Sequence, residues 1–428
     1  MRHLLGIVLV GWLAAGTARA DNGEIDVLDF GAKADATTDN TAAFQQALDK
    51  AAETGATVRV PPGQYRIDGV LTIPASVTLE GAWPTMHTTT LDKGTTLFAY
   101  AGRDKEDSAP FISLKPGATL KGVTIYYPEQ KVNDIHAYPW TIRGQGPHCN
   151  VVDVAMGNSY NGIDVGTLDS EGHHLRNVSM CALRKGVYID HCADIGRVEN
   201  VHIHNKFWWQ VGGSYATTPE EVQALNVYTK KYMVGFIIGR TDWEYMSNCF
   251  VIWCDIGFHF IESQHGTANA LITQSGGDDA NPAVLVDKLQ PHAGIAFENC
   301  QFLSAIEIGP ENEGPVKFTN CGIFGRPPGR PQLWQKGKGT VTMNACHFSK
   351  WDYYGTPCIR ATGGTLILTG CDFMHTARRP DFHDSQHIVL EEGVKSAVIM
   401  GNHFYDEAIK IQNASKGEVE ILANVKSE

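Results

Sequence analysis

The sequence predicts an all-β fold, a parallel β-helix, and three observations carry that prediction. First, a phrase recurs in the C-terminal half: FENCQFLS (297–304), VKFTNCGIFG (316–325), MNACHFSK (343–350), LTGCDFMH (368–375) and IMGNHFYD (399–406). Second, its Cys or Asn position (Cys300, Cys321, Cys346, Cys371, Asn402) recurs at spacings of 21, 25, 25 and 31 residues, the range of stacked supersecondary repeats. Third, each period holds two or three short β-type runs punctuated by Gly, Pro and Asn, with no helical pattern from 281 to 428. Strands that return without crossover helices fit coils stacked about 4.8 Å apart, one inward Cys or Asn per coil forming a ladder. A β-sandwich or propeller also uses many short strands, but this repeat has no blade or hairpin chemistry.

Along the chain, Arg2 and His3, the apolar Leu4–Ala15 and Ala18-Arg19-Ala20 read as a secretory signal peptide over 1–20. Residues 21–428 are then expected to form one exported, secreted or periplasmic domain with no membrane span. Removing Arg2 and Arg19 from the 35 basic residues leaves 33 against 47 acidic ones, a net charge near −14. That balance argues against nucleic acid as a partner. Of the ten cysteines, those of the ladder read as small buried hydrophobes. Cys181/Cys192 and Cys249/Cys254 are the candidate disulfides.

Residues 21–80 hold the expected cap and first coils. Asp39 or Asn40 starts a helix with Phe44, Ala47, Leu48 and Ala51 on its inner face, and Gly55 closes it. Such a helix would cover the open end of a solenoid. Polar, Gly- and Pro-containing segments between 81 and 140 read as long loops walling a groove. Thr217 or Thr218 before Pro219-Glu220-Glu221 predicts a short inserted helix over roughly 219–230.

The N-terminal stretch IDVLDFGAKADATTDNTAAFQQALDKAAETGATVRVPPGQYRI (25–67) resembles the opening of the pectate-lyase-like superfamily, in particular its glycoside-hydrolase-28-related members. The resemblance is specific over 25–80 and rests on the coil pattern beyond. It implies a right-handed parallel β-helix and a carbohydrate polymer as ligand, without fixing a reaction. The polygalacturonase set of Asn-x-Asp, Asp-Asp, Gly-His-Gly and Arg-x-Lys is not present in order. Asp278-Asp279 and Gln264-His265-Gly266 are isolated echoes of it.

Polar and aromatic residues cluster between 138 and 265, where a polymer would cross the middle coils. In Arg240-Thr241-Asp242-Trp243-Glu244, an extended backbone would place Asp242 and Glu244 on one side, about 6.5–7 Å apart. Two carboxyls at that separation suit an inverting glycosidase, with one kept protonated as general acid. Arg240 would hold the other ionised or bind substrate; an ordinary salt bridge at a strand edge is the bland alternative. Asp164 and Asp190 end similar runs 26 residues apart. Each either serves the site, Asp190 ahead, or closes its strand by bonding turn amides. Trp140, Trp208, Trp209 and Trp243 suit stacking on sugars, with core filling as the alternative; Trp208 and Trp209 cannot both point inward on a strand.

His191 and His204 read as groove-lining residues. Zinc held by His202, His204, His191 and Cys192 is disfavoured, because no HExxH or CxxC motif accompanies them. Calcium through Asp190, Asp194 or Asp242 belongs to a lyase reading. His173-His174 reads as loop. The sequence-level expectation is therefore an exported glycoside hydrolase acting on a polysaccharide, without a metal or cofactor. Asp242 and Glu244 would share acid and base roles and Asp190 would assist. A polysaccharide lyase or uronate epimerase, and a non-catalytic glycan-binding β-helix, are the alternatives.

Overall fold

A computed structural model describes residues 24–83, 90–325, 329–351, 355–374 and 385–427; the predicted signal segment lies outside them. Alternation builds the coils: in Val316–Thr319, Val316 and Phe318 are buried while Lys317 and Thr319 are exposed. Every strand pairs in parallel with one in the next coil, giving three continuous sheets. The first runs from Glu24–Asp26 to Glu418–Leu422, the second from Asp35–Asp39 to Val425–Ser427, and the third from Leu71–Ile73 to Ile411–Asn413. Their inner faces enclose a core continuous from Val27 to Phe404.

The turn from first to second sheet explains the repeated phrase. One residue there takes a positive φ, as at Asp153, Asn177, Asn200, Asn248, Asn299 and Asn320, a conformation that Asn and Asp tolerate best among residues with a side chain. Their amides stack: Asn200 donates to Asn177 at 3.0 Å and Asn177 to Asp153 at 2.8 Å. The following residue faces inward and is Cys300, Cys321, Cys346 or Cys371. Each thiol donates to the carbonyl two residues back, at 3.3, 3.4, 3.5 and 3.6 Å. Asn402 replaces the thiol with an amide that donates to Leu368 and accepts from the Cys371 N–H. Cys suits the position because it is small, apolar and still a weak donor.

All ten cysteines are free and buried, so neither candidate disulfide forms. Cys181 faces Asn205 and Cys192 the Asp194 carbonyl. Burial pushes the Cys249 thiol up to about 12.

Helix α1 (Thr41–Ala51) buries the expected Phe44, Ala47, Leu48 and Ala51. The Asp39 carboxylate accepts from the Thr41 N–H at 3.0 Å, and Gly55, at φ +72°, donates to the Ala51 carbonyl at 2.8 Å. Between second and third sheets the chain inserts α2 (Lys206–Trp209) and α3 (Pro219–Tyr232), the latter with a Thr218/Glu221 capping box. These insertions cover the outer face of the second sheet, burying Phe98, Tyr126, Cys181, Phe207, Trp208 and Leu225. No helix among the described residues is long and apolar enough to cross a membrane.

Thiol titration checks the cysteine assignment. The native protein is expected to present almost no reactive thiol, and all ten are expected to react once it is denatured without reductant.

Candidate functional site

The third sheet carries a repeated local motif: Gly162-Ile-Asp164, Gly186-Val-Tyr188, Gly235-Phe-Ile237 and Gly257-Phe-His259. Each glycine sits where a Cβ would meet the next coil; at Gly186 it would lie 2.3 Å from the Gly235 carbonyl oxygen. The residue two positions later stands in one column, so Arg143, Asp164, Tyr188, Ile237 and His259 occupy successive coils. Trp140, Asn161 and Lys185 form a second column at the entry to the sheet.

Within this face Trp140 stacks on Tyr188, 6.3 Å between ring centres and 19° between planes. The Lys185 ammonium lies 5.6 Å from the Trp140 ring centre and 3.4 Å from Glu106. Trp140 is only 8% exposed, so it offers an edge more than an open platform. Asp164 is fully buried and satisfied: it accepts from Gly166 and Thr167 N–H, the Thr167 hydroxyl and Arg143 Nε, the last at 2.5 Å. It closes its strand, as the blander reading had it.

Asp190 is buried at the turn into the first sheet and gathers three neutral donors. These are the Tyr188 phenol at 2.7 Å, the Arg240 N–H at 2.6 Å and the Ser263 hydroxyl at 2.8 Å. Burial, and then Asp190 itself, raises the Tyr188 phenol well above the usual tyrosine range. Beside it the His191 and His265 rings stack 3.9 Å apart. Tyr188 was missed from the sequence; the repeated Gly-apolar-X motif was the signal that could have found it.

The Asp242/Glu244 pair does not form. Trp243 takes a φ of +57° and the register skips between Thr241 and Glu244, so the extended backbone that would align the two carboxyls is broken. Asp242 stays outside, bonded to Arg240 and to Gln290 Nε2 at 2.7 Å. Partial burial opposes its ionisation, but those donors hold it below the usual carboxylate range. Glu244 turns inward and is sealed from solvent. Its Oε1 lies 3.1 Å from His173 Nε2, and its Oε2 accepts from the Thr241 hydroxyl at 3.0 Å. Burial works against the charged imidazole, yet Glu244 and Cys192 raise His173 to about 10. His173, read as a loop residue from sequence, is thus a buried partner of Glu244. Trp243 is 56% exposed on the outer surface.

The other predicted residues divide. Trp208 and Trp209 lie on α2 rather than a strand; Trp208 is buried, while Trp209 packs on Trp253 and His204 with ring centres 5.2 and 5.6 Å away. His204 belongs to that aromatic group at the edge between second and third sheets. Asp190, Asp194 and Asp242 do not gather as calcium ligands. Among the described residues, the group of three whose ligand atoms lie within 4.8 Å of one another is His173, Cys192 and Glu244.

Loops from the second-to-third edge wall the face. Glu106 accepts from Asn161 Nδ2 at 3.1 Å. His136 ties two loops together, with Nδ1 2.8 Å from Asp104 and Nε2 2.9 Å from Asp134.

Comparison with known proteins adds three findings. The chain is similar over residues 24–190 to the family described as rhamnogalacturonase A/epimerase, pectate lyase-like. Mannuronan C5-epimerase AlgE3 and alginate lyase 7, both from Azotobacter vinelandii, are 45% identical to it over 67 residues, 14% of this chain. The match spans only 4% and 8% of those two proteins. The N-terminal fragment of bacteriophage phi29 gene product 12 superposes with a TM-score of 0.57 at 13% identity, covering 92% of this chain and 70% of that one. That likeness is one of fold.

Two expectations test this geometry. Gly196→Ala should destabilise the protein by about 2–4 kcal/mol in chemical denaturation, because its Cβ would fall 2.2 Å from Glu244 Oε2 and 2.3 Å from His173 Cε1. The bonds to Asp104 and then Asp134 raise the His136 pKa above its ordinary 6.5. The tie between the loops should therefore be complete below pH 6.5 and be lost as pH rises through the raised value. An NMR titration of His136 should show the raised midpoint, and Asp104→Asn should move it back down.

Proposed function

We propose that this chain, a member of the pectate-lyase-like superfamily of right-handed parallel β-helices, modifies a uronate-containing polysaccharide, removing the proton α to the sugar carboxylate as a lyase or C5-epimerase. The observation that carries this reading is the Tyr188–Asp190 couple, with Lys185 on the same coil and Arg143 two coils away. Two coils span about 10 Å, the scale of two adjoining sugars. Lys185 would neutralise the carboxylate of the reacting sugar, which acidifies its α C–H, and the exposed edge of Arg143 that of a neighbouring sugar. The Tyr188 oxygen would take that proton while its own hydrogen passes to Asp190.

The electron pair of the broken C–H bond then has two fates. In a lyase it forms the C4–C5 double bond and expels the glycosidic oxygen, which gains a proton. In an epimerase a proton returns to C5 from the opposite face. The two relatives from Azotobacter vinelandii, an epimerase and a lyase, support this choice of chemistry. The alternative, hydrolysis by Asp242 and Glu244, lacks a shared face for its two carboxyls. Export through segment 1–20 belongs to the same proposal, since the polymer would be met outside the cytoplasm.

The test is to incubate residues 21–428 with alginate, polymannuronate, polygalacturonate and neutral glucans. Ultraviolet absorbance from an unsaturated product, or solvent deuterium entering C5 without chain cleavage, is expected with at least one uronate polymer. New reducing ends without either signal would establish a hydrolase and overturn the reading. Tyr188→Phe should lower kcat by about 10²–10⁴-fold with KM little changed, and Lys185→Ala should chiefly raise KM. Circular dichroism should be unaltered in both variants.

A further inference from the structure

We infer that His173, Cys192 and Glu244 form a structural site for a zinc-class divalent cation behind the proposed catalytic turn. His173 and Cys192 come from successive turns between third and first sheets and Glu244 from the first-sheet strand Thr241–Ser247 one coil on, and none is exposed to solvent. Their ligand atoms lie within 4.8 Å of one another. One imidazole nitrogen, one sulfur and one carboxylate oxygen make a mixed donor set suited to zinc rather than to calcium or magnesium.

The surroundings are arranged as a metal's second shell would be. His173 Nδ1 lies 2.8 Å from the Ser170 carbonyl, to which it can only donate. That frees Nε2, which lies 3.1 Å from Glu244 Oε1, to serve as the cation's ligand once its own proton is displaced. The Thr241 hydroxyl steadies the carboxylate oxygen that the imidazole does not use. Cys192 Sγ lies 2.7 Å from the Asp194 carbonyl, whereas the Sγ of Cys149 is no closer than 3.2 Å to a carbonyl and that of Cys300 no closer than 3.3 Å. The Cys192 thiol thus donates to the Asp194 carbonyl until a cation takes the place of its proton. Gly196 keeps any side chain out of the space around these atoms.

Three ligand atoms sealed from solvent and within 4.8 Å of one another call for a partner that serves them together. A divalent ion satisfies nitrogen, oxygen and a deprotonated sulfur together, and its binding energy becomes folding energy. The bound turn also carries the proposed base: Cys192 exchanges backbone hydrogen bonds with Arg240 and Asp242 at 3.1 and 3.0 Å, two residues from Asp190. The cation would clamp that turn without touching substrate, so the site stands apart from whichever reaction the outer face performs.

The experiment is metal analysis of protein produced in zinc- and in cobalt-supplemented medium. One tightly held ion per chain is expected, and the cobalt protein should show a sulfur-to-metal charge-transfer band that Cys192→Ser abolishes. A chelator should lower the Tm of the wild type and leave that of Cys192→Ser unchanged. A metal-free wild type whose Tm ignores added Zn²⁺ overturns the inference. A charge-transfer band that survives in folded Cys192→Ser also overturns it, by placing the ion elsewhere. These readouts need no enzymatic activity, and the wild-type measurements stand even if the variant fails to fold.

Discussion

Hydrogen bonding between coils governs everything else in this molecule. A single coil leaves the N–H and C=O groups of its three short strands unpaired, and leaving them so would cost about a hydrogen bond each. They are satisfied only by a neighbour in register about 4.8 Å away. Register therefore cannot slip locally, because one residue of slip would turn Phe318 or Phe297 out of the core. Side chains on equivalent positions are forced into columns, whether they are Phe and Cys inside or Arg143, Asp164 and Tyr188 outside. Chemistry on this scaffold is chosen by register first and by side-chain flexibility second.

The columns also explain which parts of the molecule the sequence reveals. The inward Cys and Asn recur because each coil must make the same turn, so one strong period exposes both fold and ladder. Helix α1 is legible because its apolar face has helical spacing and a glycine stop. Glu244 is not: strand alternation assigns it to the face of Asp242, and nothing in the residues announces that Trp243 adopts a left-handed backbone. Trp208 and Trp209 mislead in the same way, since the argument from strand alternation fails on a four-residue helix. His173 and Glu244 are 71 residues apart, and only the number of coils between them decides that they meet.

Insertions enter the stack where they disturb it least. From Asp153 onward the turn from first to second sheet is kept short by the asparagine column, although nearer the N-terminus the chain takes a longer path there, from Glu80 to Thr95. The edge between second and third sheets has no such restriction and takes α2, α3 and the loops joined by His136. These features leave the outer third sheet as a rigid floor with an adjustable wall, a division suited to a long polymer.

Three carboxylates buried at this end of the third sheet show how one scaffold assigns different roles to the same group. Asp164 is matched by the Arg143 guanidinium and by two backbone N–H groups. Glu244 is matched by His173. Removing the partner of either would leave a buried charge uncompensated, which costs several kcal/mol. Asp190 is held by a phenol, a backbone N–H and a hydroxyl, all neutral. In the proposed reaction it would receive the Tyr188 proton with no cationic partner left stranded. Of the three, Asp190 alone combines burial, contact with the outer face through Tyr188 and freedom from a cationic partner, which is why the proposed base is placed there.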